Sequence, residues 1–292
     1  MKRYRTWVEV SERSLSRNIV QLRSLLEPGA RFCAVVKANA YGHGLKEVSA
    51  CAGRAGVDAF AVDHIDDALF VRELFPSALI IVLGYTLFDR YKDALRADIH
   101  LTVYDREGIQ NAQSVGAQLA KPISVHLKLE TGTARQGVLP ADLPDLALQL
   151  SRATYVKLEG ISTHFSNIED SENPEFAAQQ FALFQQGAAL LASHGLTPAW
   201  RHCACSAAII LYPQTHQTLV RAGISMYGLW SSELVERTAR RLNLHLDLEP
   251  VLTWKTRVAQ VKSIPMGTPI GYGLTEVMKR SGSGSSSVRI RV

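Results

Sequence analysis

The stretch FCAVVKANAYGHG, residues 32–44, carries the pattern on which the fold prediction depends. Its first five residues, Phe32 to Val36, are apolar without polar alternation, which is typical of a strand covered on both faces of a parallel sheet. Lys37 follows directly, and Gly42 and Gly44 allow the chain to turn. The stretch therefore predicts a buried strand that ends in a loop bearing a lysine.

Seven further runs of this kind follow along the chain. They are short and mostly apolar, several are rich in Val and Ile, and stretches with helical spacing lie between them. The eight predicted strands are Phe32 to Val36, Ala59 to Val62, Leu79 to Leu83, Ile99 to Val103, Ser124 to Leu129, Leu158 to His164, Trp200 to Cys205 and Leu219 to Gly228.

Helical periodicity occupies the intervals between these runs. One helix should begin near Pro174 and end by Gly195, and another should follow Ser11 or Ser14 and end before Pro28. Weaker helical stretches cover 45–55, 63–75, 105–118 and 142–152. The apolar faces of the two stronger helices are Ala177, Phe181, Phe184, Ala188 and Leu191, and Leu15, Ile19, Leu22 and Leu26.

Strands that alternate with helices predict an α/β protein. Eight such strands over about 200 residues favour a (β/α)8 TIM barrel, although alternation alone also fits a doubly wound open sheet. A barrel places its chemistry where the strands end and the following loops begin. The residues at the strand ends are therefore the candidates for a functional site.

Composition excludes several classes of protein. Of the 292 residues 47% are apolar and 20% charged, which argues against a disordered, collagen-like or coiled-coil chain. The net charge of +5 is dispersed, so nucleic-acid binding has no support. The N-terminus lacks the apolar stretch of a secretory signal, and no 18 apolar residues run together. We therefore expect a cytoplasmic protein without membrane association.

The four cysteines do not have the spacing of a disulfide framework, and we expect them to be reduced. The segment His202 to Cys205 has a Cys-x-Cys spacing, but no second Cys/His pair stands at ligand distance from it. Buried cysteines are therefore favoured over a metal site, and no metal is predicted.

Polar residues follow several of the predicted strands. A lysine in the position of Lys37 either forms a Schiff base with an aldehyde or extends from the barrel mouth into solvent. Arg135 follows the fifth strand and could bind a carboxylate, and His164 follows the sixth. The loops after the seventh and eighth strands of barrels commonly bind phosphate. Ser206 follows the seventh strand, and Arg221, Gly223 and Ile224 come within or after the eighth. Of these, Ser206, Gly223 and Ile224 fit such a phosphate site.

The segment AVVKANAYGHG at 34–44 is similar to the pyridoxal-phosphate lysine signature of alanine racemases. Four further segments resemble the family and occur in the family's order, so that the resemblance covers roughly residues 5–275. They are LETGTARQG at 129–137, STHF at 162–165, HCACSAA at 202–208 and VRAGISMYGL at 220–229.

The resemblance implies a cofactor, pyridoxal 5′-phosphate, and a role for each matching residue. Lys37 would form the Schiff base and act as the base on one face of the substrate. Arg135 would orient the substrate carboxylate, and His164 would pack against the cofactor ring. Arg221 would face the pyridine nitrogen and, because it can only donate, would weaken the electron sink and favour racemisation over transamination. Tyr41, Ser206, Gly223 and Ile224 would hold the phosphate.

The implied reaction is the conversion of L-alanine to D-alanine, with serine as a second possible substrate. In the family the product supplies peptidoglycan, and the enzyme is a homodimer. Proton return to the opposite face needs a second base. The resemblance implies a tyrosine for that role, in a C-terminal β-rich domain, within a glycine-tyrosine loop after a strand, reaching across from the partner subunit.

The chain departs from the family beyond the barrel. A strand is expected over Leu252 to Ile264, and Pro269 to Gly273 resembles the loop that should follow. Tyr272 stands earlier than the expected second base and is interpreted as a structural or substrate-mouth tyrosine. Residues 275–292 contain no tyrosine, so the second base and the rest of the C-terminal domain are expected to be missing or altered. A milder departure is Cys205, where the family usually has asparagine.

The predicted organisation is a barrel over 12–230, a partial β domain over 1–11 and 240–278, and a Ser/Gly-rich disordered tail over 279–292. Three other functions compete with racemisation. The first is a barrel that binds pyridoxal phosphate with little or no racemase activity. The second is a decarboxylase of the same fold group, whose cysteine and acidic signatures are not found. The third is a basic binding module, which would form no Schiff base.

Overall fold

The computed structural model describes residues 4–260 and 264–279. Contacts within the chain divide it into two compact units, residues 11–251 on the one hand and the segments before and after them on the other. The first unit thus extends through the helix Glu233–Arg241 to Val251. The predicted domain bounds stay a prediction, and the predicted tail lies outside the described residues from 280 onward.

Eight parallel strands form the centre of the larger unit. They follow one another in order around the barrel, and the eighth pairs with the first. The barrel strands, named β1 to β8, are Arg31–Val35, Ala59–Val62, Leu79–Val82, His100–Val103, Ile123–Lys128, Val156–Ser162, Trp200–His202 and Leu219–Ala222. All eight predicted strands are present, and the predicted α/β barrel is confirmed.

The seventh and eighth strands are joined by single hydrogen bonds rather than by a regular ladder. The Thr218 N–H donates to the Arg201 carbonyl at 3.2 Å, and the Arg221 N–H donates to the Ala204 carbonyl at 3.0 Å. These bonds bring the two edges of the sheet together, so the barrel is nearly closed. Small and branched apolar side chains such as Val35, Ala61 and Ile81 pack together in its core, and polar side chains, among them His126 and Arg221, are buried as well.

Helices cover the outside of the barrel. Three of them begin at a side-chain cap: Ser11, Asp105 and Ser232 each accept a hydrogen bond from a backbone N–H in the first turn. The helices are Glu12–Arg23, Leu45–Arg54, Ile65–Leu74, Tyr91–Arg96, Arg106–Gln118, Leu143–Arg152, Glu175–Ser193, Ser206–Leu211 and Glu233–Arg241. The first of these ends before Leu26, which the sequence pattern had placed on its apolar face.

Two predicted barrel strands run three or more residues too far. β7 ends at His202 instead of Cys205, because Cys205 is already the N-cap of the helix Ser206–Leu211. β8 ends at Ala222 instead of Gly228, because a short 3-10 helix begins at Ile224. Both corrections move residues out of the sheet and into loops at the carboxyl ends of the strands.

The buried face of the helix Glu175–Ser193 is rotated relative to its prediction. Ala177, Phe184 and Leu191 are buried as expected, but Gln180 and Gly187 take the places predicted for Phe181 and Ala188. Gln180 is buried because its amide donates to the Thr131 hydroxyl and the His164 carbonyl. A polar side chain thus takes a core position in order to hold loops that follow β5 and β6.

The described residues of the smaller unit contain two antiparallel strand pairs. Thr6–Val10 pairs with Leu252–Thr256, and Pro269–Ile270 pairs with Glu276–Val277. The strand predicted over Leu252 to Ile264 is therefore too long, and residues 261–263 lie outside the described part of the chain.

A tight turn connects the second strand pair of this unit. Tyr272 lies in this turn between Gly271 and Gly273, whose φ angles are 76° and 75°. Its side chain is fully exposed. The interpretation of Tyr272 as a structural or substrate-mouth tyrosine stays a prediction.

All four cysteine thiols are free, and Cys33, Cys51 and Cys203 are buried. Burial raises the pKa of the Cys33 and Cys203 thiols to about 12, so both are protonated and unreactive at neutral pH. Among residues 4–260 and 264–279, no helix is both long and apolar enough to cross a bilayer.

Candidate active site

A cavity of about 550 Å³ opens at the carboxyl ends of the barrel strands. The structure brings the eight candidate site residues to this one cavity, which is the size of a typical small-molecule site. The candidate residues that line it are Lys37, Tyr41, Arg135, His164, Ser206, Arg221, Gly223 and Ile224.

Lys37 begins an unusual turn that the sequence did not predict. Residues 38–41 all have φ of 52–53°, so they form one turn of left-handed helix. For residues other than glycine this conformation costs about 1–2 kcal/mol each. Two bonds help to hold it: the Leu45 N–H donates to Asn39 Oδ1 at 2.8 Å, and the Tyr227 hydroxyl donates to the Val35 carbonyl at 2.9 Å. Such strain persists where the surrounding structure holds it, commonly at functional sites.

This turn can be tested through Ala38, whose side chain is exposed. Glycine adopts a left-handed conformation without strain but loses more entropy on folding. We expect Ala38→Gly to raise the free energy of unfolding by about 0.5–1 kcal/mol, measured by urea denaturation. The matched control is Ala178→Gly, at an exposed position of a right-handed helix, which should lower it by about 1 kcal/mol. A loss of stability in both variants would contradict the left-handed turn.

The loops after β7 and β8 meet at the Ser206 hydroxyl. Ser206 Oγ accepts hydrogen bonds from the backbone N–H groups of Gly223 at 3.1 Å and Ser225 at 3.3 Å. A Cβ at Gly223 would come within 3.0 Å of the Tyr41 hydroxyl, so glycine leaves room for that phenol. The buried Ser225 Oγ has no hydrogen-bond partner within the described part of the chain. Residues 223–225 with Tyr41 and Ser206 form what we call the anion cradle.

Arg221 is buried below the cradle. Its Nη1 donates to His202 Nδ1 and to the His202 carbonyl, both at 2.6 Å, and its Nη2 donates to the Thr163 carbonyl at 2.8 Å. Among the described residues no carboxylate lies within ion-pair distance of it. A buried, unpaired guanidinium leaves a positive potential that favours an anion or an acceptor atom in the cavity.

Other cations strengthen this potential. Lys37, Lys128 and Arg135 line the cavity together with Arg221, against the carboxylates of Asp63 and Glu169. Burial, helped by Arg135 and Arg221, lowers the pKa of Lys128 to about 8. Burial is the main cause that lowers the pKa of His164 to about 3, and the positive charges of the same two arginines add to it. His164 is therefore neutral at physiological pH and suited to lie against a flat, uncharged ring.

The lowered pKa of His164 predicts a pH dependence of stability. Since the unfolded imidazole binds its proton near pH 6.5 and the folded one near pH 3, stability is complete above pH 6.5 and falls as the pH drops towards 3. The slope from this one group is at most about 1.4 kcal/mol per pH unit. The free energy of unfolding is measured by urea denaturation at pH 7 and at pH 5. Between these two pH values we expect it to fall by about 1–2 kcal/mol less in His164→Gln than in the unmodified chain. Equal losses would contradict the lowered pKa.

The loop that carries Arg135 is built around the Glu130 carboxylate. Glu130 accepts hydrogen bonds from the N–H groups of Gly132 and Thr133, both at 2.6 Å, and of Arg135 at 3.1 Å. Burial alone would raise the pKa of Glu130, but these backbone donors lower it to about 2. The carboxylate therefore stays charged and fixes the backbone from which Arg135 extends.

Gly137 closes this loop at a position that no other residue can occupy. Its φ is 149°, and a Cβ there would lie 2.5 Å from the Glu130 backbone nitrogen. Lys128 Nζ donates to Gln136 Oε1 at 2.9 Å beside it. Both ends of the loop are thus anchored, and Arg135 is held at the cavity.

Several residues of the site were not predicted from the sequence. Two of them left a weak signal in the sequence. Lys128 stands at the end of a strand, much as Lys37 follows β1, and Glu130 is followed by the small residues whose N–H groups donate to it. Gln180 left no signal, and His202 was noticed only as part of the segment 202–208 without a role, because the partners of both residues lie far away along the chain.

Comparison with known proteins gives a family match over nearly the same residues as the larger unit, 11–251. The family model described as "Alanine racemase, N-terminal domain" matches residues 10–231. "Alanine racemase 1" of Oceanobacillus iheyensis is 33% identical over 275 residues, covering 94% of this chain and 71% of that protein. The alanine racemase of Methanococcus maripaludis is 35% identical over 277 residues, covering 94% and 72%.

Solved structures of alanine racemases share the fold. The enzyme from D-cycloserine-producing Streptomyces lavendulae superposes with a TM-score of 0.87 at 27% identity, covering 98% of this chain and 72% of that one. The enzyme of Clostridium difficile 630 in complex with cycloserine gives 0.83 at 28% identity, covering 92% and 74%.

Proposed function

The chain belongs to the alanine racemase family of isomerases, and we propose that it interconverts L- and D-alanine with pyridoxal 5′-phosphate held at Lys37. The observation that carries the proposal is the convergence of Lys37, the anion cradle and three further cations on one cavity. A phosphate and an amino-acid carboxylate are both anions, and the cavity presents basic groups at separate places for them.

The residues present fit this cofactor. A bound phosphate would use the buried Ser225 Oγ, which has no partner among the described residues, and the space that Gly223 leaves beside Tyr41. Ser206, Tyr41 and the backbone of Gly223 and Ile224 would hold the phosphate, and His164 would lie against the ring. When bound, pyridoxal phosphate withdraws electrons from the substrate α-carbon and makes its proton acidic.

Two arginines would set the orientation of the bound molecules. Arg135, on the loop fixed by Glu130, would bind the substrate carboxylate through its paired N–H groups. Arg221 would donate to the ring nitrogen. A guanidinium keeps its proton, so the ring nitrogen stays an acceptor, which limits electron withdrawal and favours return of the proton to the α-carbon.

Racemisation then requires proton transfer on two faces. Lys37 Nζ would take the α-proton on one face as an amine and return it as an ammonium group in the reverse direction. On the opposite face we propose the Tyr272 hydroxyl of the partner subunit in a homodimer. Tyr272 stands earlier in the chain than the second base of the family. It lies fully exposed in a glycine-tyrosine-glycine turn after the strand Pro269–Ile270, which is the setting expected for that base and is the observation that supports this role. The alternative is a cofactor-binding barrel with little or no racemase activity because the second catalytic base is missing, and it holds if Tyr272 does not act as that base.

The cofactor assignment is tested by borohydride reduction. After incubation with pyridoxal phosphate and reduction, we expect a pyridoxyl adduct on the peptide that contains Lys37, detected by mass spectrometry. Lys128, which lines the same cavity, is the internal control and should stay unmodified. An adduct confined to another lysine would overturn the assignment.

The cellular role follows from the reaction. D-alanine made by the chain would supply peptidoglycan synthesis and so the cell wall, and its four free thiols support a cytoplasmic location. Serine is the second candidate substrate, because a small pocket discriminates weakly against one added hydroxyl. Parallel rate measurements with L-alanine and L-serine decide between the two substrates.

A further inference from the structure

Three imidazole rings form a hydrogen-bonded chain inside the barrel. His100 Nδ1 lies 3.0 Å from His126 Nε2, and His126 Nδ1 lies 2.7 Å from His202 Nε2. At its end, His202 Nδ1 meets Arg221 Nη1 at 2.6 Å. His100 begins β4 and His202 ends β7, so this histidine chain runs from the amino ends of the strands to the candidate active site.

The chemistry of Arg221 gives the histidine chain one direction. A guanidinium can only donate, so His202 Nδ1 must accept and the neutral ring must carry its proton on Nε2. That proton is donated to His126 Nδ1, so His126 carries its own proton on Nε2. By the same reasoning His100 Nδ1 accepts from His126, and the neutral His100 ring carries its proton on Nε2. All three rings are therefore Nε2–H tautomers, and His202 and His126 each donate to the next ring, away from Arg221.

The surroundings keep the rings uncharged. Burial lowers the pKa of His126 and His202 well below the usual value, and Arg221 lowers both further. Burial also lowers the pKa of His100, although Glu159 and Asp98 oppose it. Among residues 4–260 and 264–279, no group of three or more His, Cys, Asp or Glu is arranged to hold a metal ion. The rings thus serve one another as partners.

The barrel is built to make room for the middle ring. His126 pairs with Gly160 across β5 and β6, where the register shifts by one residue between Val125 and His126. A Cβ at Gly160 would lie 2.2 Å from His126 Nδ1. Only glycine at this position leaves the imidazole where it can contact both neighbours. A bulge and a glycine within one strand pair indicate a requirement for this ring beyond filling space.

We propose that His202, His126 and His100 are positioning residues that hold the Arg221 guanidinium as a donor at the cavity. By accepting the proton of His202 Nε2, His126 stabilises the one tautomer whose Nδ1 can accept from Arg221. The opposite tautomer would place two donors face to face and turn the guanidinium away. The part of this inference that concerns the ring nitrogen of the cofactor rests on the proposed function, whereas the direction of the histidine chain does not.

The direction is tested on the cofactor-free chain by nitrogen NMR of 15N-labelled histidine. We expect neutral Nε2–H imidazoles at all three positions, assigned by the signal lost in each single His→Gln variant. An Nδ1–H tautomer at His202, or a charged imidazolium at His126, would overturn the proposal. This result does not depend on whether the protein binds pyridoxal phosphate.

The positioning role is tested with variants and a matched control. We expect His126→Leu to shift the Arg221 Nη resonances, to change the absorption spectrum of the pyridoxal-phosphate-loaded protein, and to lower kcat about tenfold to a hundredfold with KM nearly unchanged. Gly160→Ala, which alters no imidazole, should do the same by displacing the ring. His126→Gln, which keeps an acceptor and a donor, should restore most of the rate.

The control is His216→Leu. His216 is also fully buried, but it bonds to the Glu27 N–H and the Ile209 carbonyl instead of to the histidine chain. Equal spectral changes in His216→Leu and His126→Leu would show a general packing effect and overturn the proposal. Unchanged Arg221 resonances in His126→Leu would do so as well. If the spectra behave as expected but no adduct forms at Lys37, the proposed function fails and the histidine chain stands.

Discussion

Replacing Lys37 with alanine should reduce the rate of alanine racemisation by at least about a thousandfold, because the change removes both the attachment of the cofactor and the base on one face of the substrate. The rate is measured as D-alanine formed from L-alanine with saturating pyridoxal phosphate. Lys37 lies at the start of the strained turn, at the edge of the cavity.

Lys46→Ala is the matched control, since this lysine is exposed and stands a few residues further along the same segment. It should retain the full rate. If Lys37→Ala keeps more than a tenth of the rate while Lys46→Ala is normal, the chemical role of Lys37 is wrong. Circular dichroism of both variants separates loss of chemistry from loss of folding.

Replacing Tyr272 with phenylalanine should lower the rate about a hundredfold to ten-thousandfold, because it removes one acid-base group. The exposed phenol makes no contribution to packing, so the free energy of unfolding should not change. The borohydride adduct at Lys37 should form as before. A normal rate in Tyr272→Phe would show that another group or solvent protonates the opposite face.

A mixing experiment tests whether Tyr272 acts across a dimer. Lys37→Ala and Tyr272→Phe chains are each nearly inactive alone, but each mixed dimer has one site with an intact lysine and an intact tyrosine. Random reassociation should restore about a quarter of the activity, because half of the dimers are mixed and one of their two sites is intact. No gain on mixing would place the tyrosine and the lysine of one site in the same subunit, or exclude Tyr272 from the site.

The barrel was predictable because its strands are short apolar runs, and such a run indicates a buried strand without any knowledge of distant residues. All eight exist, and errors fall at their ends, where Cys205 and Gly223 begin other structures. Run length alone cannot show that a helix cap or a 3-10 turn interrupts an apolar segment. The rotated face of the helix Glu175–Ser193 has a similar cause, since Gln180 is buried for hydrogen bonds that hydrophobicity does not register.

The candidate site was predictable where polar residues follow strands, and all eight candidates line one cavity. The missed residues depend on long-range geometry. His126 resembles an ordinary residue of an alternating strand, and only its placement against Gly160 and His202 gives it a role. The left-handed turn at 38–41 was missed because alanine has no local preference for that conformation.

The central claim is that Lys37 and its cavity make this chain a pyridoxal-phosphate-dependent alanine racemase. The most direct test measures D-alanine in a solution of L-alanine after addition of the purified chain, with and without pyridoxal phosphate. We predict that D-alanine accumulates to equal amounts of both enantiomers, and that this requires the cofactor. A borohydride adduct at Lys37 without any D-alanine would contradict the claim and leave a cofactor-binding barrel in its place.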